Sequence, residues 1–135
     1  PNSLIIDIER DPIETALSIY RHEFSHLWSY ATSLNDIAHQ YEQYKKFIGA
    51  WGEKTNNVIH VKYEELVENP EEHIKSLLAL LGLNSKGLDI EKGLNEQDFT
   101  TFSALQVRDK ISNFNGVADR YMPFLTAYPK VLALK

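Results

Sequence analysis

Two short β-branched runs, Leu4–Ile8 and Val58–Tyr63, flank a long stretch of helical periodicity, and this arrangement restricts the fold more than any other feature. A helical crossover returns the chain in its original direction, so strands joined this way pair in parallel. Leu4-Ile5-Ile6-Asp7-Ile8 is nearly continuous in its apolar character, as expected of a strand buried on both faces of a parallel sheet. Val58-Ile59-His60-Val61-Lys62-Tyr63 alternates and reads as a second strand. Two strands are few for a sheet. The first would leave an apolar edge that natural proteins avoid exposing, so further strands are expected from sequence upstream of Pro1 or from another copy of the chain.

Between and after the strands, helix signals are local. In Arg10-Asp11-Pro12-Ile13-Glu14, Asp11 suits the N-cap, Pro12 the first helical position, and Glu14 the carboxylate of a capping box. A helix is expected from Pro12, with Ile13, Ala16, Leu17 and Tyr20 on its apolar face, followed by a loop over Phe24–Thr32. Ser33 and Asp36 cap a longer helix whose stripe Leu34, Ile37, Ala38, Tyr41, Tyr44, Ile48, Trp51 keeps helical spacing, with Gly52 as its expected end. Asn69-Pro70-Glu71-Glu72 opens a further helix through Ile74, Leu77, Leu78 and Leu81 to a stop at Gly82. Residues 83–125 read as short helices and loops, with one more helix near the C-terminus. The sequence carries no internal repeat and no low-complexity tract.

The 135 residues suffice for one domain with a modest core. With 43% hydrophobic and 24% charged residues, the composition is that of a soluble protein, and no apolar run approaches the roughly 18 residues of a membrane span. There is no cysteine, hence no disulfide framework or thiolate zinc site. No signal peptide is evident, and a cytoplasmic location is the default expectation. A formal charge of -5 argues against a polynucleotide partner, while a few local cations could still hold a small phosphorylated ligand. The chain opens on Pro1 and its single methionine is Met122, which suggests a fragment or a processed product.

The strand-to-helix turn is the first candidate for chemistry. Ligands of α/β proteins bind at the carboxyl ends of parallel strands, where Arg10 stands, and Ser18 follows on the helix. A guanidinium and a hydroxyl together suit a phosphate. The competing reading pairs Arg10 with Glu9, Asp11 or Glu14 on a solvated surface and leaves Ser18 as a tolerated helical residue.

The surrounding blocks resemble a known family. IDIERDPIETALSI (Ile6 to Ile19) is similar to the second nucleotide-binding segment of sulfotransferases. SYATSLNDIAHQYEQYKKFIGAW (Ser29 to Trp51) resembles their tyrosine-rich helix ending in Trp. VKYEELVENPEEHIKSLLALLGL (Val61 to Leu83) resembles their Tyr-Glu-Asp strand end with its Asn-Pro helix, and SALQVR (Ser103 to Arg108) their late Ser-x-x-Gln-Val-Arg segment. Within the superfamily the blocks look closest to bacterial enzymes related to tyrosylprotein sulfotransferases. The resemblance implies an α/β fold of the P-loop-like, three-layer type, here incomplete and helix-rich with about two parallel strands, residues 1–135 being the C-terminal portion of such a domain. It implies as cofactor 3′-phosphoadenosine 5′-phosphosulfate or its product 3′-phosphoadenosine 5′-phosphate, without a metal. Arg10 and Ser18 would bind the 3′-phosphate and Tyr63 would contact adenine. A loop with Ser103, Gln106, Val107 and Arg108 would close over the same end of the nucleotide. An acceptor hydroxyl or amine would be the second substrate.

The sequence departs from the family in two places. After Gly116 stand Val117 and Ala118 rather than a basic residue and a Trp, so nucleotide affinity is expected to be weak; Lys110 is a candidate to replace the missing charge. The family's Gly/Ser/Thr-rich 5′-phosphosulfate loop and the general base near it have no counterpart before Arg10, and the first glycine is Gly49. Cations aimed at developing charge carry such transfers, so no catalytic residue is expected within the chain. Two alternatives remain. One is a non-catalytic interaction module in which Tyr41, Tyr44 and Trp51 are simply core. The other is a zinc peptidase through His22-Glu23-Phe24-Ser25-His26, which fits H-E-x-x-H but lacks an evident third ligand. His39, His60 and His73 are isolated in sequence and read as surface or packing residues.

Overall fold

The structure, a computed structural model, describes residues 3–22, 26–87 and 116–134. They fall into two compact units, Pro1–His60 with Phe114–Lys135, and Val61–Asn113. The elements run β1 (Ile5–Glu9), α1 (Pro12–Arg21), a 3₁₀ segment (His26–Thr32), α2 (Leu34–Lys54), β2 (Val58–Lys62), α3 (Tyr63–Glu68), α4 (Pro70–Leu80), α5 (Val117–Leu125) and α6 (Pro129–Leu132). The strands form one parallel two-stranded sheet, the helix-rich, incomplete α/β arrangement the sequence implied. Its register is fixed at one end by the Ile5 N–H donating to the Asn57 carbonyl at 2.8 Å.

Local signals set most helix ends. Asp11 Oδ1 accepts from the N–H groups of Ile13 and Glu14, both at 2.9 Å, and Pro12 takes the first helical position, where no donor is needed. Asp11→Ala is expected to cost about 1 kcal/mol by removing this cap, measurable by denaturant unfolding. Ser33 Oγ accepts from Asp36 N–H at 3.4 Å, opening α2. At the end of α4 the Leu83 N–H reaches the Leu78 carbonyl (2.8 Å) and the Gly82 N–H the Ala79 carbonyl (3.0 Å). This paired closure requires the left-handed φ of +69° that Gly82 supplies.

Three sequence expectations are corrected. Gly52 does not end α2, which runs to Lys54 with Thr55 as its C-cap; a glycine lowers helix stability by only about 1 kcal/mol, and the flanking turns outweigh it. The expected loop over Phe24–Thr32 is largely a 3₁₀ segment broken at Trp28. Strand β1 is not buried on both faces: Asp7 is its one buried residue, whereas Ile6 and Ile8 are 40% and 54% exposed. Because side chains alternate along a strand, Ile5, Asp7 and Glu9 share the face that meets α2, and Ile6 and Ile8 share the other.

The core of the first unit is built from α1, α2 and the C-terminal helices. Ile13, Ala16, Leu17, Leu34, Ile37, Ala38, Leu125 and Val131 form one buried cluster. The amphipathic stripe of α2 thus splits. Leu34, Ile37 and Ala38 are core, while Trp51 is exposed and packs on Phe47 at a ring separation of 5.9 Å. In the second unit, Lys62, the N-cap of α3, pairs with Glu65 at 3.1 Å, and within α4 Lys75 pairs with Glu71 at 2.5 Å.

Candidate functional site

Arg10 lies in the turn that leaves the carboxyl end of β1 and enters α1. Its side chain is 22% exposed, and Nη2 stands 3.9 Å from Glu14 Oε2. That is an ion-pair contact too long for a hydrogen bond. Glu14 does not complete a capping box. It is buried, and its Oε1 accepts from the backbone N–H groups of Gly116 (2.7 Å) and Ala118 (2.9 Å). Instead of reaching back to the N-cap residue as a capping box requires, the carboxylate serves the N-terminus of α5. Gly116 enters that helix with φ +95°, a conformation that favours glycine.

Ser18 is the seventh residue of α1, about 9 Å of helical rise beyond Pro12, and is half-buried beside the core positions Ala16 and Leu17. A phosphate held by both Arg10 and Ser18 therefore requires the long arginine side chain to lie along α1. Tyr63 is not a strand residue, as the sequence pattern suggested; it opens α3 and is half-buried. Ser103, Gln106, Val107, Arg108 and Lys110 lie outside the described residues.

A second polar cluster covers the α2 side of the sheet. Asp7, 6% exposed, accepts the hydroxyl hydrogen of Tyr44 at Oδ1 and the Nδ1–H of His60 at Oδ2 (3.0 Å). Glu9 Oε1 accepts from Lys45 Nζ at 2.7 Å and lies 3.5 Å from His60 Nδ1. Asp7, Glu9 and His60 offer ligand atoms within 4.8 Å of one another, but the Tyr44 hydroxyl and the Lys45 ammonium already engage the carboxylates. Burial, followed by the hydrogen bond to Asp7, raises the Tyr44 pKa above the ordinary 10.0. The hydrogen bond to Glu9 raises that of Lys45 above 10.5.

Groups with raised folded pKa values contribute stability that is fully present below their unfolded values and is lost as pH rises through the folded ones. Stability is accordingly expected to decline above roughly pH 10, and Tyr44→Phe to flatten that decline while costing about 1–3 kcal/mol at neutral pH, because it withdraws a donor from a buried carboxylate. Chemical denaturation repeated between neutral and alkaline pH measures both effects. The cluster was not anticipated from sequence, although an acid inside an otherwise apolar strand is a signal that it has a buried partner.

The zinc-peptidase alternative loses its geometric basis. H-E-x-x-H needs both histidines on one helical face, but His22 is the C-cap of α1 in extended conformation (φ −92°, ψ 138°), and its Nδ1 donates to the Ser18 carbonyl at 2.6 Å. Glu23, Phe24 and Ser25 lie outside the described residues. No described helix is long and apolar enough to cross a membrane.

Among known proteins, the family model described as Sulfotransferase family matches residues 1–86. This span includes Arg10, Ser18 and Tyr63 and ends before Ser103. No curated protein and no solved structure matches the chain.

Proposed function

The chain belongs to the sulfotransferase family, and from that premise we propose that it binds the 3′-phosphoadenosine end of 3′-phosphoadenosine 5′-phosphosulfate or 3′-phosphoadenosine 5′-phosphate. Arg10 and Ser18 take the 3′-phosphate and Tyr63 contacts the adenine, with Ser103, Gln106, Val107, Arg108 and Lys110 contributing to the loop that closes on the nucleotide. The observation that carries the reading is the position of Arg10: a partly exposed guanidinium at the carboxyl end of a parallel strand, in the turn into a helix, within the segment that the family match covers. A planar fork of N–H donors suits a phosphate, and a serine hydroxyl adds a neutral donor. When bound, the phosphosulfate nucleotide supplies the sulfuryl group for transfer to an acceptor hydroxyl or amine. The residues of this chain bind and orient its other end, and none is assigned a proton-transfer role. The chain by itself is expected to bind nucleotide weakly at most and to transfer no sulfate.

Thermal melting tests this reading. 3′-Phosphoadenosine 5′-phosphate is expected to raise the melting temperature more than adenosine 5′-phosphate does, since at equal concentration the ligand that binds the folded state more tightly stabilises it more. Equal shifts, or none, would remove the 3′-phosphate site, and sulfate transfer by the chain alone would contradict the division of labour.

A further inference from the structure

Asp7, Glu9 and His60 come from two adjacent strands and meet on the face of the sheet toward α2. Side chains two apart on a strand share a face, which groups Asp7 with Glu9, and the register set between Ile5 and Asn57 brings His60 of β2 beside them. Backbone pairing thus holds the three residues on a rigid support, as a small coordination site requires.

The cluster is short of positive charge. The Asp7 side chain is 5% exposed, and its partners among the described residues are the Tyr44 hydroxyl and the His60 imidazole, which carry no charge with the imidazole in its neutral form. Glu9 adds a second carboxylate. The Lys45 ammonium answers only that one, from a side chain that is nearly half exposed. A buried carboxylate without a compensating cation is costly.

The spacing suits a metal ion. His60 Nδ1 stands 3.0 Å from Asp7 Oδ2 and 3.5 Å from Glu9 Oε1, and donors bonded tetrahedrally to zinc at about 2.0–2.2 Å lie about 3.4 Å from one another. The imidazole separates the set from a plain acidic patch, because it is a ligand for zinc or cobalt, whereas magnesium and calcium take oxygen. Tyr44 does not compete. It donates to Oδ1, the other carboxylate oxygen, and hydrogen bonds of this kind orient metal-bound carboxylates. Lys45 does compete, since its Nζ lies 2.7 Å from Glu9 Oε1, but its exposure lets it turn to water.

We propose that Asp7 Oδ2, Glu9 Oε1 and His60 Nδ1 form a site for one divalent ion of the zinc class, with water completing the tetrahedron. The ion takes the place of the Nδ1 hydrogen and of the Lys45 ammonium, the imidazole carries its hydrogen on Nε2 instead, and β1 is tied to β2. The site takes no part in nucleotide binding.

Calorimetry with zinc chloride at neutral pH on the chelator-treated 135-residue chain tests this, beside His60→Ala, Glu9→Gln, Lys45→Gln and the controls His22→Ala and His39→Ala. The parent and both controls are expected to bind one equivalent, and the ion to raise their melting temperature. His60→Ala and Glu9→Gln are expected to weaken binding by at least about 10-fold, the least that losing even an outer hydrogen-bond partner costs, and to lose the visible bands that tetrahedral cobalt gives in the parent. Lys45→Gln is expected to tighten binding several-fold, because a competing cation is gone. No binding by the parent, an affinity unchanged in His60→Ala and Glu9→Gln, or a loss in His22→Ala overturns the site, the last by moving the zinc to the H-E-x-x-H segment. Displacement of zinc by equal magnesium overturns it as well, reducing the cluster to an unselective acidic surface, and an unchanged affinity in Lys45→Gln would put the ion elsewhere than on Glu9 Oε1.

Discussion

Leu17→Ala is expected to destabilise the first unit by about 3 kcal/mol, lowering the melting temperature by on the order of 10 °C. Leu17 is 2% exposed and belongs to the buried cluster that also holds Ile13 and Ala16 of its own helix and the α2 residues Ile37 and Ala38. Truncation removes its transfer free energy and leaves a cavity that helices packed from several directions cannot fill. Phe47→Ala is the control. That ring is 61% exposed and touches Trp51, so its loss should cost less than about 1 kcal/mol. Equal effects from the two substitutions, followed by denaturant unfolding, would mean that the α1–α2 core does not hold the unit together.

Arg10→Ala is expected to weaken binding of 3′-phosphoadenosine 5′-phosphate by about 10- to 100-fold, the equivalent of one or two charge-assisted hydrogen bonds. Binding of adenosine 5′-phosphate should be nearly unaffected. Arg10→Lys is expected to fall between, keeping the charge but losing the planar fork. Because the Arg10 side chain is partly exposed, added salt should weaken the parent interaction and leave Arg10→Ala comparatively insensitive. Stability is the necessary control, since the substitution also removes a compensating charge from Glu14. The two amides on Oε1 remain, so Arg10→Ala should stay folded, and calorimetry on a folded variant reads binding alone.

What could be read from sequence follows from the range over which each signal acts. The Asp11-Pro12 start of α1, the Ser33 start of α2 and the Gly82 stop of α4 were legible because a helix end is decided within a few residues, by a side-chain acceptor, a missing donor or a left-handed φ. The parallel pairing of β1 and β2 was legible because the length of the crossover dictates it. Glu14 was misread for the complementary reason. Its spacing from Asp11 fits a capping box, but its partners are Gly116 and Ala118, and no local pattern announces a contact across that separation. The continuous apolar run of β1 suggested two buried faces, yet the face toward α2 is built around Asp7 with Tyr44, Lys45 and His60. Trp51 continued the stripe of α2 and still lies outside the core, because periodicity reports which residues share a face and not how far along the helix that face stays covered.

Residues 1–86, the span that holds Arg10, Ser18 and Tyr63, match the family. Their secondary-structure settings differ from the simple expectation at Tyr63, which begins a helix. The ion pair that the competing reading assigned to Arg10 is present with Glu14.

A residue-resolved titration of the isotope-labelled chain with 3′-phosphoadenosine 5′-phosphate, followed by amide and arginine side-chain NMR signals, tests the 3′-phosphate site most directly. The Arg10 guanidinium signal and the amides of Asp11, Ile13 and Glu14 are expected to shift together, saturably, and more than they do with adenosine 5′-phosphate. Shifts that leave Arg10 unmoved, or that are the same for both nucleotides, would contradict it.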